Sequence, residues 1–190
     1  MMDALDDASL AVVKHGISYT SVGYAVPECL GQYRQLRSQL RIDSGASVLD
    51  VGCGLAFGFS QMFDCNYTGI DKSEMMVHGA KLLHGSDIDV TWANFRDLDM
   101  SILEFDFIIM SGIFNVQTPW AVITNLVRKA FGYSKIGMGV AYQKSPATDK
   151  AFTIYPMRKW LKLFQSLSAN ITYDASWSKL NAVMTARHEP

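Results

Sequence analysis

The sequence predicts an α/β fold: a seven-stranded, mostly parallel sheet with helices on both faces and one antiparallel strand near the C-terminal end. Three observations predict it. Strand-like and helix-like patterns alternate along the chain, the mark of a sheet sandwiched between helices. The strand-like run Ser47–Val51 ends in two glycines one residue apart, Gly52 and Gly54. The last two strand-like runs, Asn170–Tyr173 and Asn181–Ala186, are too close for a parallel crossover and must pair antiparallel.

The elements follow in order. Residues 28–42 read as an amphipathic helix through Leu30, Tyr33, Leu36 or Arg37, and Leu40, with Pro27 at its start. Ser47–Val51 is the first strand and residues 66–70, ending at Asp71, the second. Residues 73–84 suit a helix with Ser73 as N-cap. Asp89–Trp92 is a short third strand. Phe105–Met110 (FDFIIM) is almost wholly apolar, as a strand covered on both faces should be. Thr118-Pro119 predicts a capped helix start with proline at its first position, running to about Tyr133. Lys135–Tyr142 is a fifth strand, residues 143–153 a loop, and Tyr155–Ser168 another amphipathic helix. No repeat or linker interrupts the 190 residues, which predicts one domain over 1–190: a helical lid segment at 1–44 and a core at 45–190.

Composition narrows the classes. About half the chain, 49%, is apolar, enough for a full core. No apolar run is long enough for a membrane helix, and the acidic start MMDALDD lacks the basic region of a signal peptide, so a cytoplasmic protein is expected. Three cysteines without a C-x-x-C spacing, and four scattered histidines, suggest neither a disulfide framework nor a metal site. Charge is uneven: residues 1–118 carry a net −8 and residues 119–190 a net +7. A basic half can face an acidic substrate or nucleic acid, but no block of five like charges occurs.

The chemistry centres on Val48-Leu49-Asp50-Val51-Gly52-Cys53-Gly54-Leu55-Ala56. Glycine after a strand lets a ligand come close to the backbone, at the carboxyl end of an open sheet. A dinucleotide would want G-x-G-x-x-G, and its third glycine falls on Phe57, with Gly58 one residue late. S-adenosylmethionine has no pyrophosphate and does not need that glycine. Asp71, nineteen residues after Gly52, offers two carboxylate oxygens to a ribose in either case.

The run VLDVGCG, then YTGID, then FDFIIMSGIFN, resembles the successive motifs of class I S-adenosylmethionine-dependent methyltransferases over nearly the whole chain. The resemblance implies a Rossmann-like sheet and S-adenosyl-L-methionine as cofactor, leaving S-adenosyl-L-homocysteine. It places Gly52, Cys53 and Gly54 under the methionine part with Asp50 nearby, Asp71 on the ribose and Lys72 beside the adenine. The loop Asn94-Phe95-Arg96-Asp97 would edge the adenine, with Asn94 or Asp97 as its acidic-type contact. Ser111 and Gly112 would lie beside the cofactor, and Asn115 would face the acceptor. Ala56 replaces a third glycine.

Candidate proton acceptors are His15, Tyr19, Tyr24, Asn115 and Tyr142, with His15 the first choice. Tyr19, Tyr24, Phe57, Phe59, Phe114 and Asn115 are candidate acceptor-site residues. The run Ser111–Val116 lacks the N-P-P-Y pattern that resembles a clamp for amines on planar groups. The expected function is therefore SN2 methyl transfer to an oxygen or nitrogen of a small-molecule acceptor. The alternatives are an RNA or protein methyltransferase, prompted by the basic half, and a non-catalytic cofactor-binding partner subunit. A nicotinamide oxidoreductase is disfavoured by Phe57.

Overall fold

The computed structural model describes residues 26–101, 103–114, 118–144 and 154–189. Its elements are α1 (Val26–Leu40), β1 (Ser47–Val51), α2 (Phe57–Gln61), β2 (Asn66–Asp71), α3 (Glu74–His84) and β3 (Val90–Trp92), then β4 (Phe105–Ser111), α4 (Trp120–Tyr133), β5 (Ser134–Gln143), α5 (Met157–Gln165), β6 (Asn170–Asp174) and β7 (Asn181–Arg187). The seven strands form one sheet in the order β3-β2-β1-β4-β5-β7-β6. β3, β2, β1, β4 and β5 run parallel, and β7 is antiparallel to both β5 and β6. The order reverses between β1 and β4, which opens a crevice at the carboxyl ends of those strands.

Each sheet face carries its own core because strand side chains alternate. Val48, Phe107, Ile109, Ala141 and Val183 meet α1, α2 and α3, through Leu36, Leu40, Phe57 and Val77 among others. Leu49, Ile108, Met110, Val140 and Met184 meet α4 and α5 through Ile123, Val127, Trp160 and Phe164. Of the expected lid segment, residues 26–40 form α1 and pack on the sheet: a Cβ added to Gly139 of β5 would come within 2.7 Å of Leu36 Cδ2.

Some boundaries differ from the sequence expectation, each for a backbone reason. α1 stops at Leu40 because Arg41 turns left-handed at φ +53°. Ser73 caps α3 as expected, accepting from the Met76 N–H at 3.4 Å. Thr118 does not cap α4. Pro119 occupies the cap with an extended ψ of 140°, so the helix starts at Trp120, and the Thr118 carbonyl instead accepts from the Tyr155 hydroxyl at 2.8 Å. Pro156 likewise delays α5 to Met157.

Candidate cofactor site

β1 runs into a turn with three left-handed residues: Gly52 (φ +72°), Gly54 (φ +55°) and Ala56 (φ +55°). The Gly52 and Cys53 N–H groups both donate to the Ile70 carbonyl of β2, at 2.8 and 3.0 Å. A side chain at Gly52 is doubly barred, since a Cβ would sit 2.1 Å from Ile113 Cγ2. Ala56 carries its Cβ in a conformation that costs an L-residue roughly 1–2 kcal/mol. Cys53 is buried, and burial holds its thiol protonated well above the usual range.

Asp71 closes β2 and ties this turn to the next helix. Its Oδ2 accepts from the Gly54 N–H at 2.9 Å and its Oδ1 from the Ser73 N–H at 2.8 Å. A carboxylate has about four acceptor positions, so both oxygens can still receive hydroxyl protons. Lys72 follows, exposed, and its carbonyl accepts from the Trp92 indole at 3.0 Å. Trp92 is in register with Asp71 and 60% exposed, an aromatic face at the rim that sequence reasoning missed. Its signal was available: a large aromatic closing the strand that neighbours β2.

The loop after β3 is held by its own turn and by a lysine of α4. Asn94 Nδ2 donates to Asp97 Oδ2 at 2.8 Å, and Asn94 Oδ1 accepts from the Arg96 N–H at 3.2 Å. Phe95 is buried with the Lys129 ammonium 5.0 Å from its ring centre. That ammonium, from α4, donates to the carbonyls of Phe95, Arg96 and Leu98 at 2.6, 3.0 and 2.8 Å. An ammonium has three protons and all three find carbonyls.

Asp50 is fully buried beneath the turn. Its Oδ2 accepts from the Tyr67 hydroxyl at 2.8 Å, while Oδ1 has no hydrogen-bond partner. Burial pushes its carboxyl up to about 7, against the opposing hydrogen bonds from Tyr67 and Tyr33. Gly58 leaves it room, since a Cβ there would lie 2.7 Å from Asp50 Oδ2.

At the end of β4, the Ser111 hydroxyl donates to Gln32 Oε1 of α1 at 2.6 Å. Gly112 (φ +76°) then sends Ile113 back over Gly52. Phe114 is buried 5.7 Å, centre to centre, from Trp160. Trp160 stacks on Tyr142 at 4.4 Å and meets Trp120 edge-on at 5.2 Å. Phe114 and Tyr142 therefore belong to an aromatic core cluster behind β4 and β5. Phe57 is buried, and Phe59 packs edge-on against Tyr67 and His84. His15, Tyr19, Tyr24 and Asn115 lie outside the described residues. No metal-binding group of side chains occurs among the described residues, and no described helix is long and apolar enough to cross a membrane.

Thus Gly52, Cys53, Gly54, Asp71, Lys72, Asn94 and Ser111 gather on one rim, the carboxyl ends of β1, β2, β3 and β4. The left-handed turn, the spare acceptor capacity of Asp71 and an unmatched buried amide on Gln32 suit an adenosyl amino acid.

Comparison with known proteins agrees. Residues 42–169 match the sequence model of a methyltransferase domain. No curated relative matches the chain at a significant level. Among solved structures, the magnesium protoporphyrin IX methyltransferase of Synechocystis PCC 6803 with bound S-adenosylmethionine is similar at a TM-score of 0.63 and 15% identity, over 86% of this chain and 78% of that one. An amino pentose methyltransferase from Micromonospora echinaspora gives 0.64 and 14%, over 89% and 94%. The cyclase SpnF gives 0.63 and 16%, over 83% and 80%. With the motif order, the sheet order and the matched domain model together, the chain belongs to the class I S-adenosylmethionine-dependent methyltransferases.

Proposed function

We propose that the chain transfers a methyl group to an oxygen or nitrogen of a small-molecule acceptor. The observation that carries the proposal is the clamp between the glycine turn and Asp71, the Gly54 N–H to carboxylate bond at 2.9 Å, on the rim where the sheet order reverses. S-adenosylmethionine, when bound, supplies a methyl group already activated on a sulfonium. The remaining work is to hold the partners in line and keep water out. Gly52, Cys53 and Gly54 would present bare backbone to the methionine part, and Asp71 would receive the ribose hydroxyls. Lys72 and Asn94 would edge the adenine, with Asp50 beneath the turn. Ser111 gives its proton to Gln32, so its oxygen lone pairs stay available at the end of β4. His15, Tyr19, Tyr24 and Asn115 remain the proposed acceptor-side residues, with His15 as base.

A small acceptor is supported by the two similar methyltransferases, which are named for a magnesium protoporphyrin and an amino pentose.

The test is titration calorimetry with S-adenosylhomocysteine and NAD on the natural chain and on Asp71→Ala. S-adenosylhomocysteine should bind the natural chain and stabilise it by about 2.7 kcal/mol at a hundredfold its dissociation constant. Asp71→Ala should lose at least about tenfold in affinity, as expected when charged hydrogen bonds vanish. Binding of NAD alone would overturn the cofactor assignment. Binding without methyl transfer across a panel of hydroxyl and amine metabolites would favour the partner-subunit alternative.

A further inference from the structure

Among the described residues, Gln32 is one of several buried polar side chains with an unmatched atom, and the one that α1 bonds into the end of β4. It is 1% exposed, its Oε1 is fixed by the Ser111 hydroxyl, and its Nε2 has no hydrogen-bond partner. A buried amide nitrogen without an acceptor lowers stability, and a leucine of similar size would fit a helix facing a sheet. Its position is specific. Alternation puts Asp50 on the same face as Val48, Ser111 on that of Ile109, Gln143 on that of Ala141 and Asn181 on that of Val183, all in the core under α1. Asp50 pairs with Ile109, Ser111 with Ala141, and Gln143 with Asn181. The carboxyl-end rim under α1 is therefore a polar row inside an apolar core, and Gln32 is the helix residue bonded into it. Two residues beyond the Asp50–Ile109 pair, Gly52 comes level with Ser111. The Ser111 hydroxyl that holds Gln32 is thus level with the turn assigned to the methionine part of the cofactor.

We infer that Gln32 binds the amino-acid end of the cofactor, donating its free N–H groups to the carboxylate, with Ser111 fixing the amide for that purpose. This rests on the cofactor assignment above. Two features support it over a purely structural role. The donor is matched to an anionic oxygen, and a structural amide in a packed core would have both ends paired. The Ser111 bond also holds the side chain in one orientation before any ligand arrives, which lowers the ordering cost of binding.

The discriminating ligand is 5′-methylthioadenosine, which keeps the adenosine and sulfur of S-adenosylhomocysteine but lacks the amino-acid end. Both would be titrated into the natural chain, Gln32→Leu and Gln32→Glu. Gln32→Leu should fold with an unchanged or higher thermal midpoint. It should lose about tenfold in affinity for S-adenosylhomocysteine and keep its affinity for 5′-methylthioadenosine. Gln32→Glu retains an acceptor for Ser111, sets like charges together and should lose more, again for S-adenosylhomocysteine alone. Equal losses for both ligands, or none for either, would overturn the inference while leaving the cofactor assignment intact. A natural chain that binds neither nucleoside overturns both.

Discussion

At the residue scale, Asp50 is a carboxyl placed where ionisation is costly. Its surroundings push it from 3.8 up to about 7, chiefly by burial, with a smaller push from Asp71. The native state then keeps a proton that the unfolded chain gives up near pH 4. Stability from this group is present below pH 4 and falls as pH rises to about 7, by as much as roughly 4 kcal/mol. His84 acts in the opposite sense. Burial lowers its range, so it adds stability as pH rises toward 6.5. The two are separated by difference. Urea unfolding of the natural chain and Asp50→Asn at pH 5 and pH 8 should show the variant gaining on the natural chain at pH 8, by about 1–3 kcal/mol relative to pH 5. A difference that does not change with pH would mean that Asp50 is ionised throughout.

At the element scale, the connection from β3 to β4 shows what replaces a helix. Among its described residues, 93–101 and 103–104, none is helical. The Lys129 ammonium holds it instead, at three carbonyls and over the Phe95 ring. Lys129→Met keeps the apolar stem and removes the three bonds, at a cost of about 1–3 kcal/mol. The local effect should exceed the global one. Arg96 is exposed in this loop, so trypsin should cut after it at least about tenfold faster in the variant, at temperatures well below unfolding. An unchanged cutting rate would mean that the Asn94–Asp97 turn holds itself. Such contacts explain how far the sequence could be read. Strand and helix types, and the gathering of Gly52, Gly54 and Asp71, follow from local periodicity and glycine spacing. The Lys129 clip spans 31 to 34 residues and the Gln32–Ser111 bond 79. Nothing local distinguishes Lys129 from any other solvated lysine or Gln32 from a surface glutamine. Trp92 was readable in principle, since its strand must neighbour the one ending at Asp71, but it required the pairing register. Thr118 reads as a cap from sequence because Pro119 fits both the cap and the first helical position, and only its ψ decides.

At the scale of the whole molecule, charge decides between a small acceptor and a polyanion. The net +7 of residues 119–190 suggests a basic face. The fold uses much of it internally. Lys129 fills the carbonyl cup, Lys144 donates to the Ala175 carbonyl, and Lys135 pairs with Glu104 at 2.7 Å. Lys159 sits over the rings of Trp120 and Tyr155, at 5.5 and 5.2 Å. Lys129, Lys135, Lys144 and Lys159, among the described cations of this half, thus have partners within the chain. A groove of about 440 Å³ lined by Arg34, Arg37 and Arg41 lies just before β1 and β2, at the amino end of the sheet and away from the cofactor rim. There Asp43 stands in the wall and Asp64 holds Arg37 at 2.8 Å, which dilutes the field. Polyanion binding releases about 0.7 counterions per neutralised phosphate on a single strand, read as the slope of log affinity against log salt. The partnered cations predict a shallow slope, no steeper than about −1.5, for a single-stranded RNA measured between 50 and 300 mM salt. A slope of about −3 or steeper would require four or more phosphates to be neutralised together. The partnered lysines and the Arg34 groove would then have to be freed or recruited, and a nucleic-acid acceptor would displace the small molecule as the proposed substrate.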